Sequence, residues 1–337
     1  MKLRVAAVGA SLLLAVVLAV RHGMVLMVGG AHVAHCSATS DSVPCLSPLS
    51  ADPDAPLNVG EYAKLASKPG VAFTCPPDNQ LNATRGESGE QGTHMQFFLK
   101  GGGLTAEADK LAGVGTASFV LPAPGGKPLH AYSHYEDWTR YTWERYVLAI
   151  VDPLHLRCGH TVFEVGVGSG AFVEVLHRYF DIKAAGTDLS LPLIKLARRA
   201  LPGSFCAIDG ATATSSFLPA GSFDRVIAHS LFYYIHGVPA ATAIFKDMVR
   251  LCKPGGVVGV MSINTPNTPA GNVGGYGIFE NNQAAFTREF WATLARQWKL
   301  CAPRFEEQKV GHVGTGYRYS FFVQKPPCRS RSVFAFK

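Results

Sequence analysis

The sequence predicts an α/β fold built on a doubly wound, mostly parallel sheet. From residue 161 onward, short apolar runs of strand length alternate with longer segments whose apolar residues recur every three or four positions. A glycine-rich turn joins the first apolar run to the first helical segment. Alternating strands and helices are joined by right-handed crossovers, which make neighbouring strands parallel and place helices on the sheet faces. Of the 337 residues, 47% are hydrophobic, which is enough for a sizeable core.

The glycine-rich turn follows the first predicted strand, Thr161 to Val165. Its glycines, Gly166, Gly168 and Gly170, are spaced as G-x-G-x-G, and an amphipathic helix begins at Phe172. Glycine is needed where the backbone adopts a positive φ and where a ligand must approach more closely than a Cβ would allow. We therefore predict that this turn binds a ligand.

Two acidic residues flank the turn. Glu164 precedes its first glycine by two residues, and Asp188 lies at the end of the next mostly apolar run, Ile182 to Thr187. A carboxylate in the second position can hold the diol of a ribose. A dinucleotide site would require G-x-G-x-x-G, so the observed spacing disfavours a nucleotide-dependent oxidoreductase, which stays an alternative.

With Glu164 before it, the turn resembles the cofactor loop of class I (Rossmann-like) S-adenosylmethionine-dependent methyltransferases. Three later segments resemble later motifs of that family, in the same order: Phe205 to Gly210, Ser222 to His229 and Val249 to Gly256. The likeness is to methyltransferase type 11 domains and covers about residues 160 to 262. It implies S-adenosyl-L-methionine as cofactor and a seven-stranded sheet with an antiparallel terminal strand.

The resemblance also implies which residues bind the cofactor, with Asp209 contacting the adenine. This predicted set consists of Glu164, Gly166, Gly168, Gly170, Asp188, Leu189, Asp209 and Gly210.

Methyl transfer is an in-line displacement that depends chiefly on positioning the acceptor atom, and it needs a base only for a hydroxyl or a protonated amine. The family places such groups at the end of the fourth strand. The predicted catalytic residues there are His229, Tyr233 and His236, with Tyr234 beside them. The helix before the first strand lies over the cofactor in related enzymes, so Tyr132, His134, Tyr135 and Arg140 are predicted to contact the substrate or the cofactor.

Three classes of function fit these features. The first is a methyltransferase acting on an unidentified small-molecule acceptor, the second a non-catalytic protein that binds S-adenosylmethionine, and the third the oxidoreductase. The fourth-strand region lacks the Asn/Asp-Pro-Pro-Tyr and Pro-Cys motifs of nucleic-acid methyltransferases, and the net charge of +7 is dispersed, so DNA is not expected as a partner. The cysteines and histidines show no metal-ligand spacing, and no metal is expected.

The chain divides into five predicted regions. Residues 1–34 form a signal peptide or signal anchor, 35–56 a linker, 57–129 an irregular extension, 130–325 the methyltransferase domain and 326–337 a basic tail. The apolar residues within 5–28 predict the secretory pathway or membrane association, whereas the lack of acidic residues before Asp41 leaves a mitochondrial or plastid transit peptide open.

Several local features are also predicted. One helix covers residues 130–153, with an ion pair between Glu136 and Arg140, and Ser190 caps a later helix. The Gly- and Asn-rich segment Asn264 to Asn282 is either a substrate lid or a surface loop. Of the eight cysteines, Cys206 and Cys252 are expected to be free and buried, whereas Cys36, Cys45 and Cys75 could pair in an oxidising compartment.

Overall fold

The computed structural model describes residues 70–78, 129–133, 135, 138–208, 214, 217–266, 275–279, 283–308 and 318–328. These residues all belong to one compact unit. The predicted signal segment, the linker, the tail beyond residue 328 and Cys36 and Cys45 lie outside the described residues. No helix in the described ranges is long and apolar enough to cross a membrane.

A seven-stranded sheet forms the centre of the described structure. The described strands are β1 Thr161–Val165, β2 Lys183–Asp188, β3 Phe205–Ala207, β4 Phe223–His229, β5 Cys252–Asn264, β6 Tyr276–Phe279, β7 Gln283–Phe286, β8 Arg304–Gln308 and β9 Arg318–Gln324. The sheet has the spatial order β3-β2-β1-β4-β5-β9-β8, in which β1 to β5 are parallel, β9 is antiparallel to β5, and β8 is antiparallel to β9. Strands β6 and β7 pair separately as an antiparallel hairpin. The predicted fold class is confirmed.

Helices cover both faces of the sheet. They are α1 Arg140–Ile150, α2 Ala171–Phe180, α3 Leu191–Ala200, α4 Val238–Leu251 and α5 Arg288–Gln297. On one face, Val147, Leu176 and Ile194 belong to a cluster that buries α1, α2 and α3. On the other face, Phe245 and Trp291 belong to a cluster that buries α4 and α5. Two separate apolar layers of this kind are what a doubly wound sheet requires.

The sequence prediction of one helix over 130–153 is wrong at its N-terminal end, whereas the helix does end before Asp152 and Pro153. A short 3-10 helix occupies Leu129–Ser133, and α1 begins only at Arg140, because the Thr139 side chain accepts a hydrogen bond from the Thr142 backbone N–H over 3.1 Å and caps the helix there. Arg140 pairs with Glu144, four residues later, at 2.7 Å. Its predicted partner Glu136 lies outside the described residues. The predicted cap on α3 is confirmed, since Ser190 Oγ accepts from the Leu193 N–H.

Residues 70–78, part of the predicted irregular extension, pack beside strand β3. The Ser204 N–H donates to the Val71 carbonyl at 3.0 Å, and Asp78 pairs with Arg198 at 2.8 Å. A disulfide joins Cys75 to Cys206 on β3, so the prediction that Cys206 is free is wrong. The sequence could not reveal this pairing, because the two cysteines are 131 residues apart and meet only when residues 70–78 pack beside β3.

The remaining described cysteines are Cys158, Cys252, Cys301 and Cys328, and Cys158 is also disulfide-bonded. Cys301 is joined to Cys328. Cys252 is free and buried, as predicted.

Candidate active site

The glycine turn follows β1 at the carboxyl edge of the sheet. Gly166, Gly168 and Gly170 have φ angles of 75°, 54° and 83°, in the left-handed region that favours glycine. The backbone N–H groups of Gly166 and Val167 both donate to the Thr187 carbonyl, at 2.8 and 2.9 Å, which fixes the turn against β2. A Cβ on Gly166 would lie 2.9 Å from the Leu231 side chain. The turn is therefore closely packed against the segment that follows β4.

Asp188 lies at the end of β2, directly beside this turn. Its Oδ2 accepts a hydrogen bond from the Gly168 N–H at 2.8 Å, and its Oδ1 accepts one from the Ser190 N–H at 2.8 Å. Burial raises the pKa of the Asp188 carboxyl, while these backbone donors oppose the rise. The structure thus brings together Asp188 and the glycine turn, two elements that the sequence predicts to share a ligand.

Glu164 is buried at the end of β1, with 1% of its surface exposed. Its Oε2 has no hydrogen-bond partner within the described part of the chain, and neither does the hydroxyl of Thr187 nearby on β2. Burial, and then the neighbouring charge of Asp188, raise the pKa of Glu164 well above its usual value. A buried carboxyl without a partner is costly. A ligand that brings a cation or a hydrogen-bond donor to this position would remove that cost.

The 3-10 helix at Leu129–Ser133 packs on the glycine turn from the opposite side. Ser169 Oγ donates to the Leu129 carbonyl at 2.7 Å, and the Trp143 indole N–H donates to the Ala171 carbonyl at 3.3 Å. The His130 ring stacks on Trp143 with centroids 5.9 Å apart. The segment before β1 is thereby held over the turn.

A cluster of hydroxyls surrounds His229 at the end of β4. Its Nε2 lies 3.0 Å from the hydroxyl of Tyr146 and 3.3 Å from that of Ser230. The Tyr146 hydroxyl in turn lies 2.5 Å from Ser262 Oγ, and the Ser230 hydroxyl lies 2.8 Å from that of Tyr135. We refer to Tyr135, Tyr146, His229, Ser230 and Ser262 as the hydroxyl cluster.

The hydroxyl cluster is electrically neutral at physiological pH. Burial, and then the positive charge of Arg318, lower the pKa of His229 to about 3. Burial raises the pKa of Tyr146 to about 12 and that of Tyr135 well above its usual value. The cluster therefore offers neutral hydrogen-bond donors and acceptors to whatever lies against it.

Two serines of the cluster adopt a backbone conformation that is unusual for their residue type. Ser230 and Ser262 have φ angles of 54° and 59°. Ser262 coincides with a register shift in the pairing of β5 with β9, between Val260 and Ile263. Non-glycine residues in the left-handed region concentrate at functional sites. The irregularity lets Ser262 point toward Tyr146 and also donate to Gln308 Oε1 at 3.3 Å.

The other residues predicted at the end of the fourth strand contact different side chains. The Tyr233 ring is 4.2 Å from that of Tyr234 and lies beneath the Arg318 guanidinium, whose carbon is 5.3 Å from the ring centroid. His236 Nδ1 lies 3.2 Å from the hydroxyl of Tyr276 on the β6–β7 hairpin. Tyr276 belongs to the segment predicted as a lid or a surface loop, and that choice stays a prediction.

The residues before β1 that are predicted to contact the substrate or the cofactor lie in different surroundings. Tyr135 belongs to the hydroxyl cluster, whereas Arg140 belongs to a buried ion cluster with Glu144, which itself lies 2.6 Å from Arg178. His134, Asp209, Gly210 and the side chain of Tyr132 lie outside the described residues. Leu189 is half-buried between Asp188 and the helix cap. The roles predicted for these residues stay predictions.

Sequence reasoning missed Tyr146, Ser262 and Arg318 as site residues. A partial signal existed for Tyr146, which lies at helical spacing from Tyr135 and Trp138 in the sequence before β1. No comparable signal marked Ser262 or Arg318, because strands distant in the sequence bring them to the site.

Comparison with known proteins gives one family match, in which residues 163–260 match the family model of the methyltransferase domain. Phosphoethanolamine N-methyltransferase 1 of Arabidopsis thaliana is 29% identical over 129 residues, which are 37% of this chain and 26% of that protein. Ubiquinone biosynthesis O-methyltransferase of Xanthomonas axonopodis pv. citri is 30% identical over 168 residues, which are 49% of this chain and 63% of that protein. The chain therefore spans about a quarter of the length of the plant relative.

Among solved structures, the chain resembles phosphoethanolamine N-methyltransferase 2 of Haemonchus contortus in complex with S-adenosyl-L-methionine. The TM-score is 0.45 with 16% identity, over 63% of this chain and 61% of that one. Likenesses this distant carry no inference about function.

Proposed function

We propose that the domain around residues 163–260, which match the methyltransferase domain model, is a class I methyltransferase domain that transfers a methyl group from S-adenosyl-L-methionine to a small-molecule acceptor. The observation that carries the proposal is the arrangement of Glu164, the glycine turn and Asp188 at one edge of the sheet. In this arrangement the glycine turn allows a ligand to approach the backbone closely, and the carboxyl groups of Glu164 and Asp188 lie near the same turn.

The residues of this edge fit the proposed cofactor. Asp188 is half-buried and held by two backbone donors, so its carboxylate is oriented to accept hydrogen bonds from ribose hydroxyls. Glu164 has a buried oxygen without a partner in the described residues, which suits the positively charged methionine part of the ligand. When bound, S-adenosylmethionine supplies a methyl group attached to a sulfonium sulfur.

The hydroxyl cluster is the proposed site for the acceptor. An acceptor atom must be held about 3 Å from the methyl carbon and in line with the bond that breaks, and such positioning can contribute several kcal/mol to rate acceleration. Tyr135 and Ser230 offer hydroxyls at the end of β4, and His229 and Tyr146 continue the same hydrogen-bonded set. We infer that Nε2 of neutral His229 accepts a hydrogen bond from a neighbouring hydroxyl, that of Tyr146 or Ser230, and that this bond orients the hydroxyl cluster.

The two relatives methylate different atoms according to their names, one nitrogen and one oxygen. Both names specify small molecules, which supports a small-molecule acceptor here. The alternative of a non-catalytic S-adenosylmethionine-binding protein is kept because the cofactor geometry alone does not require turnover.

Two measurements test the proposal. Calorimetry should show binding of S-adenosylmethionine, and NAD should not bind; binding of NAD alone would overturn the proposal in favour of an oxidoreductase. Release of S-adenosylhomocysteine in the presence of fractionated metabolites should then reveal transfer. Binding without release in any fraction would favour the non-catalytic alternative.

We also propose that the protein folds in an oxidising compartment reached through the secretory pathway. The support is the disulfides found among the described residues, which include Cys75–Cys206 and Cys301–Cys328, since such bonds persist mainly outside the cytosol. A fluorescent fusion of residues 1–40 tests the location. A mitochondrial or plastid signal would contradict the secretory assignment.

A further inference from the structure

Arg318 is the first residue of β9 and lies at the carboxyl edge of the sheet. It pairs across the strands with Asn264, the last residue of β5. Its Nε donates to Asn264 Oδ1 at 3.1 Å, while Asn264 Nδ2 donates to Gln283 Oε1 at 2.8 Å. The second bond fixes which way the amide faces, so the guanidinium is held in place by its neighbours.

The guanidinium faces the acceptor side of the proposed site. It lies over the Tyr233 ring at 5.3 Å, and Tyr234 packs against Tyr233. The positive charge of Arg318 opposes the rise in pKa of Tyr135, Tyr146 and Tyr234, which places that charge within electrostatic reach of the hydroxyl cluster. The charge of Asp188 acts on Tyr234 from the cofactor side. Tyr234 is therefore within electrostatic reach of both Asp188 and Arg318.

Arg318 differs in its charge balance from three other arginines of the domain. Arg178, Arg198 and Arg250 each form an ion pair with an acidic side chain. Within the described ranges no carboxylate lies within ion-pair distance of Arg318, although it is half-buried. A partly buried cation is stabilised by an anionic partner, and a guanidinium can bind a carboxylate or a phosphate through two parallel hydrogen bonds.

We propose that Arg318, with Tyr233 and Tyr234, binds an anionic group of the methyl acceptor, either a carboxylate or a phosphate monoester. The inference rests on the proposed methyl transfer and adds the chemical class of its acceptor. Anchoring the anion at Arg318 directs the rest of the molecule toward the hydroxyl cluster and the methyl position.

The experiment separates a small-molecule extract by anion exchange at mildly alkaline pH and assays each fraction for release of S-adenosylhomocysteine. With the wild-type protein, turnover should appear in the retained fractions. Arg318→Gln should raise KM on the order of 100-fold, the size expected when a buried charge pair loses one partner, and should leave the affinity for S-adenosylhomocysteine unchanged. Arg318→Lys keeps the charge but not the two-pronged geometry and should give an intermediate KM.

Arg288→Gln is the matched control. Arg288 also lies over a tyrosine ring, that of Tyr319 at 5.6 Å, but it is exposed and paired with Glu307. It should behave as wild type. Treating the retained fractions with a phosphatase identifies the source of the charge, since activity is lost for a phosphate monoester and kept for a carboxylate, and both results support the inference.

Turnover confined to unretained fractions and insensitive to Arg318→Gln would overturn the inference while leaving methyl transfer intact. A second test does not depend on turnover: inorganic phosphate is titrated into the complex with S-adenosylhomocysteine. Saturable stabilisation of the wild-type and Arg288→Gln proteins, absent in Arg318→Gln, supports the anion site. Equal behaviour of all three proteins contradicts it, whether or not transfer is observed.

Discussion

The backbone N–H of Gly168 donates a hydrogen bond to Oδ2 of Asp188 over 2.8 Å. The glycine turn after β1 and the acidic end of β2 are thereby joined into one surface. Because Asp188 also accepts from the Ser190 N–H, its carboxylate connects the turn to the start of α3. Removing the carboxylate should therefore affect both the shape of the turn and its affinity for a ligand.

Asp188→Ala should lower the affinity for S-adenosylhomocysteine by at least about tenfold. The reason is the loss of two hydrogen bonds to a charged group, each contributing roughly 1.5–3 kcal/mol to the local structure, together with the ribose partner. Isothermal calorimetry measures the affinity. Glu289→Ala, an exposed acidic residue on α5 paired with Arg296, is the control and should bind as wild type. Unchanged affinity in Asp188→Ala would show that this carboxylate does not contact the ligand.

Alanine variants at two glycines can separate backbone strain from ligand binding in the glycine turn. Gly166 and Gly159 have nearly equal φ angles, 75° and 76°, and only Gly166 lies in the turn. Changing either glycine to alanine should lower the free energy of unfolding by roughly 1–2 kcal/mol through the backbone alone, because a residue with a Cβ is strained in the left-handed region. A Cβ at Gly159 meets nothing within 4 Å, whereas one at Gly166 meets Leu231 at 2.9 Å.

Urea unfolding and calorimetry together check this prediction. Both variants should lose stability, but only Gly166→Ala should lose affinity for S-adenosylhomocysteine. Equal binding by the two variants would argue that the turn is a structural feature without a ligand.

The fold and the cofactor edge could be predicted because their signals are local. The strand Thr161–Val165, the turn beginning at Gly166 and the acidic residue ending β2 each follow from short-range pattern and chain geometry. The cap formed by Ser190 likewise needs only a residue three positions away.

The acceptor side could not be predicted, because it depends on contacts between distant segments. Tyr146 meets Ser262 across 116 residues, and the left-handed backbone that aims Ser262 arises from a register shift between strands. Arg140 illustrates a different reason, because Glu136 and Glu144 are both four residues away from it in the sequence. The cap at Thr139 starts the helix at Arg140, so only Glu144 follows it within the same helix. Nothing in the sequence pattern ranks these alternatives.

Tyr146→Phe should reduce turnover while leaving cofactor binding unchanged. The change removes the hydroxyl that lies 3.0 Å from His229 and 2.5 Å from Ser262, so two buried groups lose a hydrogen-bond partner. A cost of roughly 1–3 kcal/mol in the transition state corresponds to a five- to 150-fold lower kcat. Steady-state release of S-adenosylhomocysteine measures the effect.

Tyr141→Phe on the same helix is the control for this change. Its hydroxyl accepts a hydrogen bond from Arg145 on the solvent side, away from the cluster. Equal activities of the two variants would mean that the hydroxyl cluster does not position the acceptor.

His229 should make the protein less stable in acid. Its pKa is about 3 in the folded protein against 6.5 in an unfolded chain, so between these values the unfolded state binds a proton that the native state does not. Stability is therefore retained above pH 6.5 and falls with decreasing pH, by up to about 1.4 kcal/mol for each pH unit. The change His229→Gln removes this titration. Urea unfolding at several acidic pH values should show a shallower loss of stability in the variant, and parallel curves would contradict the burial of a neutral imidazole.

The disulfides Cys75–Cys206 and Cys301–Cys328 close loops of very different length. Cys75 and Cys206 are 131 residues apart, and Cys301 and Cys328 are 27 apart. In the chain-entropy description the longer loop contributes about 5 kcal/mol and the shorter about 3.6 kcal/mol, so the double variant Cys75→Ser/Cys206→Ser should be the less stable one. The double variant should also release residues 70–78 from β3. Two other contacts hold this segment, the hydrogen bond from the Phe73 N–H to Ser204 Oγ and the ion pair of Asp78 with Arg198. Chemical unfolding measures the first effect, and proteolysis near residue 75 followed by mass spectrometry measures the second. If the Cys301→Ser/Cys328→Ser protein proved the less stable, or if residues 70–78 stayed protected without their disulfide, the hydrogen bonds and the ion pair would be the main attachment of this segment.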